Sequence, residues 1–258
     1  MQEKITFSFG KNWQNFLISL SEDKFRNAKL SLTEFLGLEN MQGKSFLDVG
    51  CGSGLFSYAA FSLGADKIVS FDLDTFSVEC CRHLRKKANN PENWEVFEGS
   101  VVNNDFISRL GKFDIVYAWG VLHHTGRMWE AINSATDLVK LNGLFGIAIY
   151  NQTLMSNFWL KYKRLYNKSR RIKKSIMVWI IFLPRVLARL IKFKHPFKEK
   201  RGMSIYYDAV DWAGGFPYEF APYKEVCSYI ESRGFDLLKC NRTNSIGCNE
   251  FLFKRIVD

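Results

Sequence analysis

The chain has 258 residues, of which 47% are apolar and 24% are charged, and it is long enough for one large globular domain or two small ones. Its net charge of +10 is concentrated, because residues 161–201 hold fifteen of the 36 Lys and Arg residues but one of the 26 acidic residues. The rest of the chain is mildly acidic, which argues against a protein that binds nucleic acid over its whole surface.

The start of the chain and its cysteines indicate a compartment. The N-terminal sequence MQEKITFSFGKNW has no apolar signal core, and the six cysteines lack the CxxC pairing that is typical of zinc sites. We therefore expect reduced thiols in a cytoplasmic protein. In residues 1–40 apolar positions recur at three- and four-residue spacing, which predicts an N-terminal helical segment.

From residue 41 to residue 258, predicted strands alternate with predicted helices, which indicates one domain. The strands are predicted at 45–50, 67–74, 94–99, 113–120, 144–151, 235–242 and 249–256. The helices are predicted at 55–64, 77–88, 128–140 and 223–234. This order predicts a seven-stranded, mostly parallel sheet with helices on both faces. No helix separates the last two strands, so the last one is predicted to be antiparallel. Residues 152–215 are predicted to be an insertion in this domain.

A glycine-rich turn, Asp48-Val49-Gly50-Cys51-Gly52-Ser53-Gly54, joins the first predicted strand to a helix. Glycine allows tight turns and close approach of the backbone to a ligand, and the start of a helix offers N–H groups. Asp72 ends the next strand, where a carboxylate can accept hydrogen bonds from both hydroxyls of a ribose. The dinucleotide fingerprint GxGxxG does not fit, since Leu55 stands at its sixth position.

The DxGxGxG turn together with Asp72 resembles the class I S-adenosylmethionine (SAM)-dependent methyltransferases, and the resemblance runs from about residue 41 to the end of the chain. It implies a Rossmann-like fold and SAM as the cofactor. It also implies that SAM is bound by Asp48, Gly50, Cys51, Gly52, Gly54, Asp72, Leu73, Ser100, Val101 and Trp119. Many relatives have an Asp at position 100 for the adenine amino group. With Ser100 there, Asn103 or a backbone carbonyl is expected to make that contact, and Trp119 is either a cofactor contact or a core residue.

The residues after the fourth strand restrict the methyl acceptor. Methylases of amino groups on nucleic-acid bases carry Asn/Asp-Pro-Pro-aromatic there, whereas this chain has Ala118-Trp119-Gly120-Val121 and no cysteine nucleophile of a cytosine-5 enzyme. Oxygen, simple amine and carbon acceptors remain. The chain is similar to O-methyltransferases of quinone and glycan biosynthesis, which implies a small biosynthetic acceptor with a sugar hydroxyl or a phenol.

His123 and His124 follow the same strand and are the first candidates for the general base, because imidazole is well matched to proton transfer near neutral pH. One of them can instead serve to fix the loop. Asp211 and Glu219 are the next candidates. A metal ion is not expected, since no carboxylate lies near the two histidines in sequence. The acceptor is expected to contact Tyr150, Asn151, Tyr207, Trp212 and Tyr218, although residues 206–219 can also be a packed connecting loop.

The insertion contains eight consecutive apolar residues, Ile176 to Leu183, too few for the roughly 20 that cross a bilayer. Pro184 is predicted to begin a helix. Its basic face would hold Arg185, Arg189 and Lys192, and its apolar face Leu183, Leu187, Leu190 and Ile191.

An apolar stripe beside basic residues predicts contact of residues 161–201 with an anionic membrane, at its inner face in a cytoplasmic protein. The insertion follows the fifth strand at the ligand-binding edge, so we expect it to be both a lid over the substrate pocket and a membrane contact that admits a lipid-linked or amphipathic acceptor. An ordinary lid or a homodimer helix, whose apolar face is core, would explain the same pattern. An RNA methyltransferase that holds phosphates with the basic insertion, and a non-catalytic SAM-binding module, remain as alternatives to the small-molecule enzyme.

Overall fold

The structure is a computed structural model that describes residues 20–191 and 205–257. The predicted helical segment 1–40 is therefore described only from residue 20 onward. Lys192 of the predicted membrane helix lies outside the described residues. The side chains of four other residues of that helix, Arg185, Arg189, Leu190 and Ile191, and of the predicted acceptor residue Tyr207 are not described either.

Seven strands form one sheet in the order β3-β2-β1-β4-β5-β7-β6. The strands are β1 Ser45–Val49, β2 Lys67–Asp72, β3 Trp94–Glu98, β4 Phe113–Trp119, β5 Val139–Tyr150, β6 Phe235–Asn241 and β7 Cys248–Arg255. Strands β1 to β5 pair in parallel, and β7 runs antiparallel to both β5 and β6. The predicted Rossmann-like α/β fold and its antiparallel last strand are confirmed.

The described helices are α1 Glu22–Leu36, α2 Leu55–Ser62, α3 Thr75–Lys87, α4 Asn104–Ile107, α5 Met128–Asp137, α6 Ser156–Lys168, α7 Arg171–Ile191, α8 Ile205–Gly214 and α9 Tyr223–Glu231. A 3-10 turn at Leu122–His124 follows β4. Apolar side chains of the sheet pack on α1, α2 and α3 on one face and on α5 and α9 on the other. In β1, the Phe46 side chain packs on the face covered by α1, α2 and α3, and the Leu47 side chain packs on the opposite face, as expected of a strand that is buried on both faces.

The predicted helix 128–140 is wrong beyond Asp137. Val139 already pairs with Phe113 of β4, so β5 begins five residues before the predicted strand. Asn142 and Gly143 lie inside β5, where Asn142 has a positive φ of 62°. A left-handed Asn is tolerated at such a kink, and the pairing of β4 with β5 is irregular between Phe113 and Ile115.

The insertion forms a small helical unit in which α6, α7 and α8 share an apolar cluster, with Tyr166, Met177, Ile181 and Ala209 among its buried members. The prediction that Pro184 begins a helix is wrong, because α7 is continuous and Pro184 lies inside it. Proline removes one helical hydrogen bond, but Pro184 is on the exposed side of α7, where the freed carbonyl group can bind water.

Within residues 20–191 and 205–257, no helix combines the length and the hydropathy needed to cross a bilayer.

Candidate active site

A cavity of about 580 Å³ opens at the carboxyl edge of the sheet, beyond β1, β2, β3 and β4. Ligands bind at this edge in open α/β sheets, and roughly 300–1,000 Å³ is the usual volume of a ligand pocket. One end of the cavity is formed by the turns after β1, β2 and β3. The other end is formed by the turn after β4, the end of β5 and the insertion, through Tyr150, Asp211 and Phe216.

The glycine turn after β1 is shaped by close packing against its neighbours. Gly50 has a φ of +70°, and a Cβ atom on it would lie 2.4 Å from Cγ1 of Val121. Gly54 has a φ of +78°, and its Cβ would lie 2.7 Å from Sγ of Cys81 on α3. Side chains at these two positions would push the turn away from the β4 loop and from α3, so glycine is required for the shape of the turn itself.

Gly50 and Gly52 line the cavity, whereas Asp48, Cys51 and Gly54 are outside its lining. Asp48 is buried, and its carboxylate accepts a hydrogen bond of 2.5 Å from the Ser57 hydroxyl. Ser57 accepts from Ser70 at 2.8 Å, and Ser70 accepts from Nε1 of Trp94 at 2.9 Å. Burial raises the pKa of Asp48 to about 7, against the opposing hydrogen bond from Ser57. Asp48 thus links the end of β1 to α2, the two elements that the glycine turn joins.

Asp72 is held at the cavity wall by two backbone amides. Its Oδ2 accepts from the N–H of Gly52 at 3.0 Å, and its Oδ1 accepts from the N–H of Asp74 at 2.9 Å. Burial raises the pKa of Asp72 to about 6, although these amide hydrogen bonds favour the charged form. Each carboxylate oxygen has a second lone pair, so the group can still accept from a diol in the cavity. Leu73, beside it, is exposed and also lines the cavity.

The turn after β3 brings Ser100 and Val101 to the cavity wall. A Cβ on Gly99 would collide with the ring of Phe106, so the backbone passes close to that ring. Asn103 is the N-cap of α4, where its Oδ1 accepts from the amides of Asp105 and Phe106. It is outside the cavity lining, which leaves backbone groups at 99–101 for the contact expected of an adenine.

The two histidines after β4 have different surroundings. His124 lines the cavity, and its Nδ1 lies 2.6 Å from the carbonyl oxygen of Pro217. A carbonyl can only accept, so Nδ1 carries the proton and Nε2 carries the lone pair. Burial lowers the pKa of His124 to about 3, with the Lys163 charge acting in the same direction. His124 is therefore a neutral imidazole at physiological pH.

His123 is outside the cavity lining and only 1% exposed. Its ring packs 4.1 Å from that of Tyr150, and it makes a hydrogen bond with the backbone of Ala148. Burial lowers its pKa well below the usual range. The geometry gives His123 a supporting position under the β4 loop.

Of the remaining candidate catalytic and acceptor residues, some line the cavity and others do not. Tyr150 and Asp211 line the cavity. Glu219 does not: both of its carboxylate oxygens lie 3.1 Å from the amide of Met128, at the start of α5. Asn151 is outside the lining as well, and its amide donates to the carbonyl oxygen of Thr243. Trp212 and Tyr218 lie behind Tyr150, with ring centroids 5.6 and 4.9 Å from its own.

Of the predicted site residues, the cavity brings together Gly50, Gly52, Asp72, Leu73, Ser100, Val101, Trp119, His124, Tyr150 and Asp211. Phe76 lines it too and was not predicted, and so do Phe216 and Pro217, which belong to the predicted acceptor loop 206–219 but were not named individually. Lys163 was also missed. It is completely buried behind Tyr150. A signal was present, because Trp159 and Tyr166 stand four residues before and three after it and mark that face of a helix as internal.

The chain is similar to known methyltransferases. The family model for ribosomal protein L11 methyltransferase (PrmA) matches residues 27–156. A ubiquinone biosynthesis O-methyltransferase from Pelagibacter ubique is 30% identical over 110 residues, which are 43% of this chain and 43% of the relative. A ribosomal protein L11 methyltransferase from Tolumonas auensis is 29% identical over 115 residues, 45% of this chain and 37% of the relative. The chain thus spans about two-fifths of the length of these relatives.

Among solved structures, magnesium protoporphyrin IX methyltransferase (ChlM) from Synechocystis PCC 6803, with bound SAH, has a TM-score of 0.58. It is 13% identical, and the match covers 96% of this chain and 95% of that one. At this identity the likeness concerns the fold.

Proposed function

We propose that this chain, which belongs to the PrmA family of methyltransferases, transfers a methyl group from SAM to a hydroxyl oxygen, most favourably a phenol, of a small or lipid-linked acceptor. SAM is its cofactor. The observation that carries the proposal is one cavity with Asp72, oriented by two amides, at one end and the neutral imidazole of His124 at the other.

The residues present fit SAM. The carboxylate of Asp72 would accept from the ribose hydroxyls, Gly50 and Gly52 would let the backbone approach the methionine part, and residues 99–101 would border the adenine. SAM, when bound, supplies a methyl carbon on a sulfonium, which an acceptor oxygen attacks as the sulfur leaves with the bonding electron pair.

The far end of the cavity suits an aromatic acceptor. Tyr150 and Phe216 line the cavity there, and ring faces bind planar aromatic groups well. Trp119 also lines the cavity, but its ring stacks on Tyr117 of the core. His124 is the group that would take the hydroxyl proton, at Nε2. Burial lowers its pKa and makes it a weak base, which favours an acidic hydroxyl as its partner. A phenol, with a pKa of roughly 10, meets this requirement much better than a sugar hydroxyl.

The insertion supports a lipid-linked acceptor. Helix α7 buries Met177, Val178, Ile181 and Phe182 against α8, yet it exposes a second apolar row on its outer side: Ile172, Ile176, Ile180, Leu183 and Leu187. The same part of the insertion also exposes basic side chains: Lys161, Arg164 and Lys168 on α6, Arg170 just before α7, and Arg171 and Lys173 in its first turn. An anionic membrane surface matches both features. Helix α8, packed on α7, carries Asp211 to the cavity.

Phosphate binding to RNA would use the bases but gives no reason for an exposed aliphatic row. We therefore favour the membrane over RNA as the partner of residues 161–201.

Methyl transfer from labelled SAM into fractionated cell extract tests this function. We expect label in the lipid fraction as a base-stable ether, and much less of it with the Asp72→Ala variant at a SAM concentration that does not saturate the variant. Label in RNA would support the RNA methyltransferase, and label in protein would support an activity like that of the L11 relative. Binding of SAM without transfer to any fraction would support a non-catalytic module.

A further inference from the structure

Arg164, on α6, is an exposed arginine whose guanidinium lies close to the cavity. Its Cζ is 5.9 Å from the ring centroid of Phe216, which is a lining residue. Arg164 is outside the lining itself, so its charge is one ring away from the cavity. The ion pairs and side-chain hydrogen bonds found within residues 20–191 and 205–257 do not include Arg164. Its five N–H donors are therefore available to a ligand.

The position of Arg164 is fixed by its neighbours on α6. Lys163, one residue before it, donates a hydrogen bond to the carbonyl oxygen of Trp212. Asn167, three residues after it, donates to the carbonyl oxygen of Gly214 at 2.8 Å. These two bonds hold α6 on the segment that leads to the lining ring. A cation–π contact at an exposed site is weak by itself, so the two bonds are what keep the guanidinium beside the cavity.

The same segment reaches the candidate base. Pro217 directly follows Phe216, and its carbonyl oxygen accepts the hydrogen bond of 2.6 Å from Nδ1 of His124. Residues 212–217 thus connect the guanidinium of Arg164, outside the cavity lining, to an imidazole that is part of it. An acceptor that contacts both groups is held at two points, and this fixes its orientation.

The charges around the cavity are separated in the direction that such an acceptor needs. Asp72, Asp74 and Asp211 are among the lining residues, and the described part of the lining contains no Lys or Arg. Outside the lining, α6 exposes Lys161 and Arg164, three residues apart on one helical face. Carboxylates repel an anionic group and the two bases attract it. An anionic end of the acceptor would therefore stay beside α6 while an uncharged hydroxyl enters the cavity.

Resting on the phenol acceptor proposed above, we propose that Arg164 determines specificity by binding an anionic group of the acceptor, a carboxylate or a phosphate, while the hydroxyl lies at His124. A guanidinium binds either group through two parallel hydrogen bonds, which give direction as well as affinity. The acceptor is then a phenol that also carries an acidic group, whether this group belongs to a small acid or to the linker of a lipid.

Caffeate and its methyl ester test this role, because they share a catechol and differ by one negative charge at the far end of the molecule. We expect Arg164→Met to raise KM for caffeate about 10-fold, as for a lost hydrogen bond between charged groups, and to change its kcat little. KM for the methyl ester should stay the same. Arg164→Lys keeps the charge without the planar fork and should give an intermediate KM.

The matched control is Arg109→Met, which removes an exposed arginine outside the cavity lining and should leave both KM values unchanged. Equal effects of Arg164→Met on the two compounds, or no effect on either, would overturn the proposal.

Calorimetry with S-adenosylhomocysteine bound separates this inference from the proposed function. The wild-type protein should bind caffeate about 10-fold more tightly than the ester, and Arg164→Met should bind the two equally. This pattern without methylation of either compound would support the anion site but overturn the phenol acceptor. Equal affinities in the wild-type protein would overturn the anion site alone, and binding of neither compound would overturn both.

Anionic lipid headgroups are another source of a phosphate. If Arg164 bound only these, Arg164→Met would weaken sedimentation with phosphatidylglycerol vesicles and would leave KM for caffeate, measured without lipid, unchanged. That result would overturn the proposal.

Discussion

The Ser57 hydroxyl donates a hydrogen bond of 2.5 Å to the Asp48 carboxylate and so ties α2 to the end of β1 beneath the cavity. The chain of hydrogen bonds continues through Ser70 to Trp94 on β3. The glycine turn that faces the cavity therefore rests on a buried polar network whose protonation depends on pH.

This network predicts that Asp48→Asn stabilises the protein at high pH. The pKa of Asp48 is about 7 in the folded protein and roughly 4 in an unfolded chain. A raised folded pKa means that the fold loses stability as the pH rises from about 4 to about 7, since the unfolded chain ionises there first. Asparagine keeps the acceptor for Ser57 and never ionises. Urea denaturation should therefore show Asp48→Asn gaining about 1–3 kcal/mol relative to wild type between pH 5 and pH 8. A difference that does not change with pH would contradict the buried charge.

Asp72→Ala should weaken SAM binding by about 1.5–3 kcal/mol, the range for hydrogen bonds to a charged group. Calorimetry with SAM and S-adenosylhomocysteine measures this, and both ligands should lose the same amount because they share the ribose. Glu92→Ala is the matched control, since Glu92 is an exposed acid away from the cavity. Unchanged affinity in Asp72→Ala, or NADH binding of similar strength, would refute the assignment of this end of the cavity.

The same carboxylate predicts how cofactor binding depends on pH. Since the pKa of Asp72 is about 6 in the free protein, acidification through pH 6 replaces the accepting carboxylate with its protonated form. The affinity for S-adenosylhomocysteine should therefore be constant above pH 7 and fall by about 10-fold at pH 5. Titrations of Asp72→Asn, which cannot protonate in this range, should show no such fall. A wild-type affinity that is flat down to pH 5 would exclude ionised Asp72 as the acceptor.

His124→Ala should lower turnover about 100-fold or more while SAM affinity is retained, because it removes the imidazole that lines the cavity. His123→Ala should act differently, because it empties a buried site beside Tyr150. It should clearly lower the melting temperature but have only a small effect on turnover measured at low temperature. Near-normal turnover in His124→Ala would move the base to Asp211, which lines the same wall.

Features that depend on neighbouring residues could be predicted from the sequence. The strands, the glycine turn and the position of Asp72 follow from local periodicity and spacing, and the structure places Gly50, Gly52 and Asp72 at one cavity. The role of Asp48 could not be predicted, because Ser57, Ser70 and Trp94 reach it only through the packing of α2 and the pairing of β2 with β3.

The choice between the two histidines depends on contacts far apart in the chain. The tautomer of His124 is set by the carbonyl group of Pro217, 93 residues later in the chain. The carboxylate of Glu219 accepts a hydrogen bond from the amide of Met128, 91 residues earlier. The local preference of proline for the first turn of a helix also gave a wrong prediction for Pro184, since α7, which packs on α8, is continuous through it. Lys163 was missed because it lies in a basic run, although Trp159 and Tyr166 mark its face of the helix as internal.

The outer row of α7 gives the last prediction. If residues 161–201 contact an anionic membrane, the protein should sediment with vesicles that contain phosphatidylglycerol and stay in solution with phosphatidylcholine alone. Ile176 and Ile180 are 56% and 59% exposed, so their replacement by Glu should cost no core packing. Ile176→Glu with Ile180→Glu should abolish sedimentation, because charged side chains cannot enter the acyl region. Leu30→Glu is the control, since Leu30 is 51% exposed on α1.

The basic residues should make membrane binding depend on the salt concentration. Arg171→Glu with Lys173→Glu should weaken binding at low salt, and the difference from wild type should shrink at high salt, where charges are screened. The helix as a lid or a dimer interface predicts other outcomes. A dimer would lose half its mass in the Ile176→Glu, Ile180→Glu variant, as measured by light scattering without lipid. Equal sedimentation with neutral vesicles, or none with either kind, would leave α7 as a cover of the cavity and remove the membrane from the proposed function.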